Sequence, residues 1–173
     1  MISRMFDSVA NSVATATAAN NNHDDGSSAM FNNSNSLLYV PCIINSRMVE
    51  MMVDSGSQTS VISSSMMQQL NLQHRLDKRY QGVAAGVGSA SILGRIDNCP
   101  VLIGDGVEFK LYFLVIDVPH DMMILGIDQL RRFKCLISLE KNVLIFGGQG
   151  GLEVPFLPPD PNHANAREQC TIS

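Results

Sequence analysis

The feature that most constrains this chain is the rhythm of its apolar runs. Between Leu37 and Phe146 they are short, rich in Val, Ile, Leu and Met, and broken repeatedly by turn residues. Such runs suit strands, because helices show longer segments with a 3.6-residue period. The spacing predicts strands over residues 37–44 and 47–53 joined by an Asn45-Ser46 turn, then a strand over 59–63 and a short helix near 64–70. It predicts long strands over 90–103 and 107–116 on either side of Gly104-Asp105-Gly106, the strongest hairpin signal in the chain. A short helix over 128–133 follows, with Asp128 near its N-terminal end where a carboxylate is favoured. A hairpin of 135–139 with 143–146 through Lys141-Asn142 completes a mostly β domain with one or two short helices.

The flanks read differently. Residues 1–36 are Ser, Asn and Ala-rich, with an Asn20-Asn21-Asn22 run and Phe6 and Phe31 as the sole aromatics. A segment of that kind buries too little apolar surface to offset its ordering entropy, so it is expected to be disordered. Residues 148–173 continue a Gly-Gly-Gln-Gly-Gly stretch into Pro155, Pro158, Pro159 and Pro161 and are expected to form a flexible tail. The folded unit is thus placed at residues 37–147, one domain by size.

Composition excludes several function classes. Twelve Lys and Arg against sixteen Asp and Glu give a net charge of −4. No basic run could neutralise a line of phosphates, so nucleic acid is not expected as a partner. The longest apolar stretch, Leu111 to Ile116, is far short of the ~20 residues that cross a bilayer, and no secretory signal is evident. A soluble protein of the cytosol or nucleus is expected. Cys42, Cys99, Cys135 and Cys170 are scattered with no CxxC pair, which suggests reduced thiols and neither a zinc site nor a disulfide framework. No cofactor or metal is called for.

Chemistry is concentrated in Met51-Met52-Val53-Asp54-Ser55-Gly56-Ser57. An apolar strand ends on a carboxylate, and small residues turn the chain at once, which leaves a side chain both fixed and accessible. Asp54 is the candidate catalytic group, supported by Ser55, Gly56 and Ser57. The tripeptide alone also reads as a simple capped turn. Further along, Gly82-Val83-Ala84-Ala85-Gly86-Val87-Gly88 is small, apolar and uncharged. It lacks a phosphate-loop pattern and suits a mobile hairpin that covers a peptide in a groove. Ile124-Leu125-Gly126 then closes another apolar strand. His74 and His120 lie in polar or turn surroundings and are expected at the surface, with no motif for a serine or cysteine triad. Met66-Met67 and Met122-Met123 are expected to fill the core.

These motifs together resemble the retroviral-type aspartic protease domain: Asp-Ser-Gly after an apolar strand, the Gly-x-x-x-Gly-x-Gly flap, Leu93-Gly94-Arg95-Ile96, and Ile124-Leu125-Gly126 followed by Asp128-Gln129-Leu130. The version in the DNA-damage-inducible proteins, ubiquitin-linked shuttle proteases of eukaryotes, is the most similar. The resemblance covers residues 38–147 and extends weakly to Phe156-Leu157-Pro158. It implies a closed retropepsin-like β-barrel, one lobe per chain, with Asp54 as the catalytic carboxylate and Ile124, Leu125 and Gly126 as structural residues near it. Ser57 stands where many members have Ala and pepsin-like enzymes often have Ser, and by that analogy it would donate a hydrogen bond to the Asp54 carboxylate. Members usually carry a ubiquitin-like domain before the protease and often a ubiquitin-binding domain after it, and 173 residues leave room for neither.

Peptide hydrolysis without a metal or a covalent nucleophile needs one group to deprotonate water and another to protonate or polarise the carbonyl, which two carboxylates sharing a proton accomplish. Asp97, Asp105, Asp117, Asp121 and Asp128 lack a flanking Ser/Thr-Gly. The second carboxylate is therefore expected from Asp54 of a symmetry-related chain, making the protein a homodimeric aspartic endopeptidase acting on polypeptides. The alternative is an inactive protease-like dimerisation or peptide-binding module. Ubiquitinated proteins enter as partners on the family resemblance alone.

Overall fold

The computed structural model describes residues 37–86 and 88–159. The segment 1–36 read as disordered and the last residues of the tail, 160–173, lie outside them. In chain order the elements are β1 (Leu38–Ile44), β2 (Arg47–Val53), β3 (Val61–Ser63), α1 (Ser64–Gln69), β4 (Leu76–Asp77), β5 (Gly82–Gly86), β6 (Gly88–Ile103) and β7 (Val107–Asp117). They continue as β8 (Met123–Leu125), α2 (Ile127–Arg132), β9 (Leu136–Ser138), β10 (Val143–Phe146) and β11 (Leu152–Pro155).

Local chemistry sets the first hairpin. Asn45 and Ser46 both adopt positive φ, at 48° and 64°, the primed turn whose twist matches that of the flanking strands. It fixes the register from Ile44↔Arg47 to Leu38↔Val53. On β2 the period of two then sends Met51 and Val53 inward and leaves Met52 half-exposed on the other face.

Six strands close into a barrel in the order β1-β2-β8-β3-β7-β6, and β6 returns to β1 through Cys42↔Ile103 and Ile43↔Leu102. Closure removes the unpaired edges that an open sheet would expose. Val40, Met51, Ile96, Ile103, Phe113 and Leu125 fill the interior, all fully buried. β8 is inserted between β2 and β3, parallel to the first and antiparallel to the second. The chain leaving β2 must therefore pass over the end of β8 before it enters β3, and this crossing builds the site.

Several expected boundaries shift for physical reasons. β3 begins at Val61 rather than at residue 59: Thr59 and the Ser60 N–H are turned to the β8–α2 junction, although Ser60 O still accepts from Leu114 N–H of β7 at 3.0 Å. β6 extends back to Gly88 to pair with β5, with register breaks between Ile92 and Gly94 and between Ile96 and Cys99. The tail reading needs correction over its first part. Leu152–Pro155 forms β11 on β10, Val154 and Phe156 are buried, and Leu157 N–H donates to the Tyr39 carbonyl at 2.8 Å. The alternation Leu152, Val154, Phe156 is a period-two strand signal, and Pro155 is tolerated because β11 is an edge strand. The β9-β10-β11 sheet packs through Phe146 onto Phe109 and Phe133, with ring centroids 4.6 and 6.4 Å away.

Cys42 and Cys99 are buried free thiols and Cys135 is half-buried. Burial pushes Cys99 up to about 11 and Cys135 up to about 12, so neither is a nucleophile near neutral pH. Among the described residues no three His, Cys, Asp or Glu side chains are grouped so as to hold a metal ion, and no helix is long and apolar enough to cross a membrane.

Candidate active site

Asp54 is the first residue after β2, and its backbone N–H donates to Leu125 O at 3.1 Å, extending the β2–β8 pairing by one step. The chain then turns tightly. Gly56 N–H donates to Asp54 Oδ1 at 2.9 Å and Ser57 N–H to Asp54 O at 3.2 Å. The carboxylate is thus oriented by its own loop, and Asp54 itself is half-buried. Ser55 and Gly56 are exposed at the apex. Ser57 does not meet the expectation placed on it: its hydroxyl donates to Thr59 O at 2.8 Å, closing the loop on itself rather than touching the Asp54 carboxylate.

A second layer holds this loop against α2. Ser60 is fully buried, and the Asp128 carboxylate accepts from its N–H at 3.0 and 3.1 Å and from its hydroxyl at 2.7 Å. Ser60 Oγ in turn accepts from Gly126 N–H at 2.9 Å, and Ile127 N–H donates to Ser57 O at 2.8 Å. Asp128 stands at the start of α2, as expected, and it also ties the Asp54 loop to the β8–α2 junction. Gly126 sits where the two segments touch. Ile124 pairs with both Met52 and Val61, and Leu125 with Val53, so the three residues form the platform under Asp54.

Asp54 opens onto a cavity of about 660 Å³ on the outer face of β2 and β8. Met48 and Met52 from β2, Met66 from α1 and Met122 beside β8 contribute to its walls. The core reading therefore holds for Met67 and Met123, which are buried, and for Met66, which is half-buried against the core while it reaches this cavity, and fails for Met122, which is half-buried on the cavity. Flexible thioethers let such a wall adapt to differently shaped apolar groups. His120, read as a surface residue, is another part of the wall, whereas His74 is exposed as expected. The segment carrying His120 is pinned to α1: Ser64 Oγ donates to Asp117 at 3.1 Å, Gln69 Nε2 to Asp121 at 2.5 Å, and Met122 N–H to Ser63 Oγ at 3.1 Å. Hydrogen bonds from Ser65 and Gln69 hold the Asp121 carboxyl below its ordinary value.

The flap sequence forms the β5–β6 hairpin, paired from Gly82↔Ile92 through Val83, Ala84 and Ala85 to Gly86↔Gly88; Val87 lies outside the described residues. Its root is rigid. The Arg79 guanidinium and backbone N–H both donate to Asp77 and hold its carboxyl at about 2, while Arg95 stacks 4.0 Å from the Tyr80 ring centroid. With the folded value depressed, the Asp77 contribution is complete above the ordinary carboxylate range and is lost as pH falls toward 2. A fixed root with a small-residue tip predicts that Gly86→Val slows peptide turnover by more than about tenfold while the melting temperature moves by no more than about 2 °C. Unchanged kinetics would reassign the hairpin as a purely structural loop.

Comparison with known proteins agrees with this geometry. The family model described as aspartyl protease matches residues 30–138. Protein DNA-DAMAGE INDUCIBLE 1 of Arabidopsis thaliana is 40% identical over 121 residues, covering 70% of this chain and 29% of that protein. The UBA domain-containing protein Mud1 of Schizosaccharomyces pombe is 42% identical over 121 residues, 70% of this chain and 35% of that one. The chain thus spans about a third of the length of these curated relatives. Among solved structures, the retroviral protease-like domain of Ddi1 from Leishmania major superposes with a TM-score of 0.64 at 38% identity, covering 73% of this chain and 98% of that domain. The chain therefore belongs to the aspartyl protease family, as a retropepsin-like domain of the DNA-damage-inducible branch.

Proposed function

We propose that the chain is an aspartic endopeptidase that cleaves extended polypeptide segments through a dyad formed by Asp54 of two copies. The observation that carries this reading is a carboxylate at the end of an apolar strand, oriented by Gly56 N–H at 2.9 Å and opening onto a large, mostly apolar cavity. One chain supplies one such carboxylate, and the chemistry needs two. In the dimer the ionised Asp54 takes a proton from water as its oxygen adds to the peptide carbonyl carbon, and the protonated Asp54 gives its proton to the carbonyl oxygen. The tetrahedral species then collapses: the first Asp54 passes its proton to the amide nitrogen, the second takes a proton from a hydroxyl of the tetrahedral carbon, the C–N bond breaks, and the dyad regains its starting state. Gly82, Val83, Ala84, Ala85, Gly86, Val87 and Gly88 cover the bound segment, and backbone groups there give sequence-tolerant hydrogen bonds.

The test pairs sedimentation equilibrium with a peptide pool read by mass spectrometry from acid to neutral pH. A two-fold dimer at micromolar concentration with cleavage products is the expected result. A strict monomer with full activity would overturn the shared dyad, and a dimer that binds peptides without cleaving them at any pH would assign the chain as a peptide-binding module. A role with ubiquitinated proteins is supported by the name of the S. pombe relative, and retention on polyubiquitin tests it directly.

A further inference from the structure

We infer that His120 is a specificity-determining residue, selecting substrates that place an uncharged amide side chain, Gln or Asn, among the apolar residues held in the cavity beside Asp54. This inference rests on the endopeptidase reading above. The cavity wall carries five charged or titratable side chains, Tyr39, Glu50, Asp54, His120 and Asp121. Four of them are occupied: Asp54 by Gly56 N–H, Asp121 by Gln69 and Ser65, and Tyr39 and Glu50 each by an interaction of its own. His120 Nδ1 is buried and has no hydrogen-bond partner among the described residues. A nitrogen shut away from water and left unpaired is unfavourable, so its retention in the wall of a substrate-sized cavity calls for a partner that arrives with the ligand.

The surroundings decide what that partner is. An acidic side chain would meet Glu50, Asp54 and Asp121, three carboxylates lining the same space. A cationic one would be drawn to those carboxylates, and it could pair with Nδ1 only in the tautomer that leaves that nitrogen an acceptor. A neutral amide both donates and accepts, so it pairs with Nδ1 in either imidazole tautomer without adding charge to a methionine-lined cavity. The His χ2 torsion is broad, so the ring can turn to present that nitrogen as a side chain enters. The pinning of this segment to α1 through Asp117, Asp121 and Met122 keeps the His120 backbone in place meanwhile.

The experiment uses the full 173-residue chain and peptides identical except that Gln replaces Leu at one position at a time. Two readouts are taken: kcat/KM on the wild-type dimer and Kd on the Asp54→Asn variant, which reports recognition without hydrolysis. At one position the Gln peptide is expected to be preferred about tenfold, the effect of one net hydrogen bond, and His120→Phe should bring the ratio to within about twofold. His120→Gln, which can still donate and accept, should restore part of the preference, and melting curves of both variants confirm that they fold. A Gln-to-Leu ratio that His120→Phe leaves unchanged overturns the inference. Cleavage failing while the His120-dependent binding ratio persists would overturn the endopeptidase reading instead.

Discussion

Asp54→Asn is expected to lower peptide cleavage by roughly 10³-fold or more while leaving the fold and the dimer intact. The amide keeps an oxygen that can accept Gly56 N–H, now 2.9 Å from Oδ1, and Asp54 N–H still pairs with Leu125 O. Melting temperature should therefore move by no more than about 2 °C. What disappears is the ionisable group, and in a symmetric dimer it disappears twice. Mixing sharpens the test. If each active site needs Asp54 from both chains, equal amounts of wild type and variant, allowed to exchange subunits, retain about a quarter of the wild-type activity per dimer. If each chain works on its own, about half remains, and if one Asp54 is enough for a shared site, about three quarters. Wild-type activity in Asp54→Asn itself would remove Asp54 from the mechanism.

Much of this arrangement is legible in sequence because its signals are local. Asn45-Ser46 sits at a hairpin turn, and Met51-Met52-Val53-Asp54 places a carboxylate at a strand end within a few residues of its orienting Gly56. Gly82 through Gly88 announces a small-residue hairpin in the same way. Where the partner is distant, the signal fades. Asp128 and Ser60 are 68 residues apart, and nothing near either one indicates that the carboxylate clamps the loop that carries Asp54. Ser57 illustrates a different failure: analogy with pepsin-like enzymes suggests a bond to Asp54, but the tight turn places the Thr59 carbonyl 2.8 Å from the Ser57 hydroxyl. His120 reads as a loop residue because its neighbours are Pro119 and Asp121, and its place in the cavity wall follows from contacts that only the folded chain provides. The β11 strand is hidden by Pro155 and the prolines that follow it, although Leu152, Val154 and Phe156 alternate as a strand should.

Gly126→Ala should be among the most damaging single-methyl additions in the chain. Its φ of −85° is ordinary for any residue, so conformational freedom is not the reason for glycine here. Space is. A Cβ at this position would lie 2.7 Å from Thr59 C, 2.8 Å from Thr59 O and 2.9 Å from Ser60 N, all backbone atoms that cannot rotate away. Relief requires the Thr59–Ser60 backbone and the β8–α2 junction to separate, which strains the Ser60 Oγ to Gly126 N–H bond and the Asp128 clamp together. A cost on the order of 3 kcal/mol is expected, the upper range for overpacking, with a fall of about 10 °C in melting temperature. Activity should fall further than the loss of folded protein accounts for, because Ile127 N–H also holds Ser57 O and so fixes the loop that carries Asp54. Gly82→Ala is the control, since a Cβ there meets nothing within 4 Å and should leave the melting temperature unchanged. Thermal melts on the three proteins and initial rates of Gly126→Ala against wild type separate the effects; a Gly126→Ala protein as stable as Gly82→Ala and as active as wild type would show that the crossing over β8 is not the close contact on which the site depends.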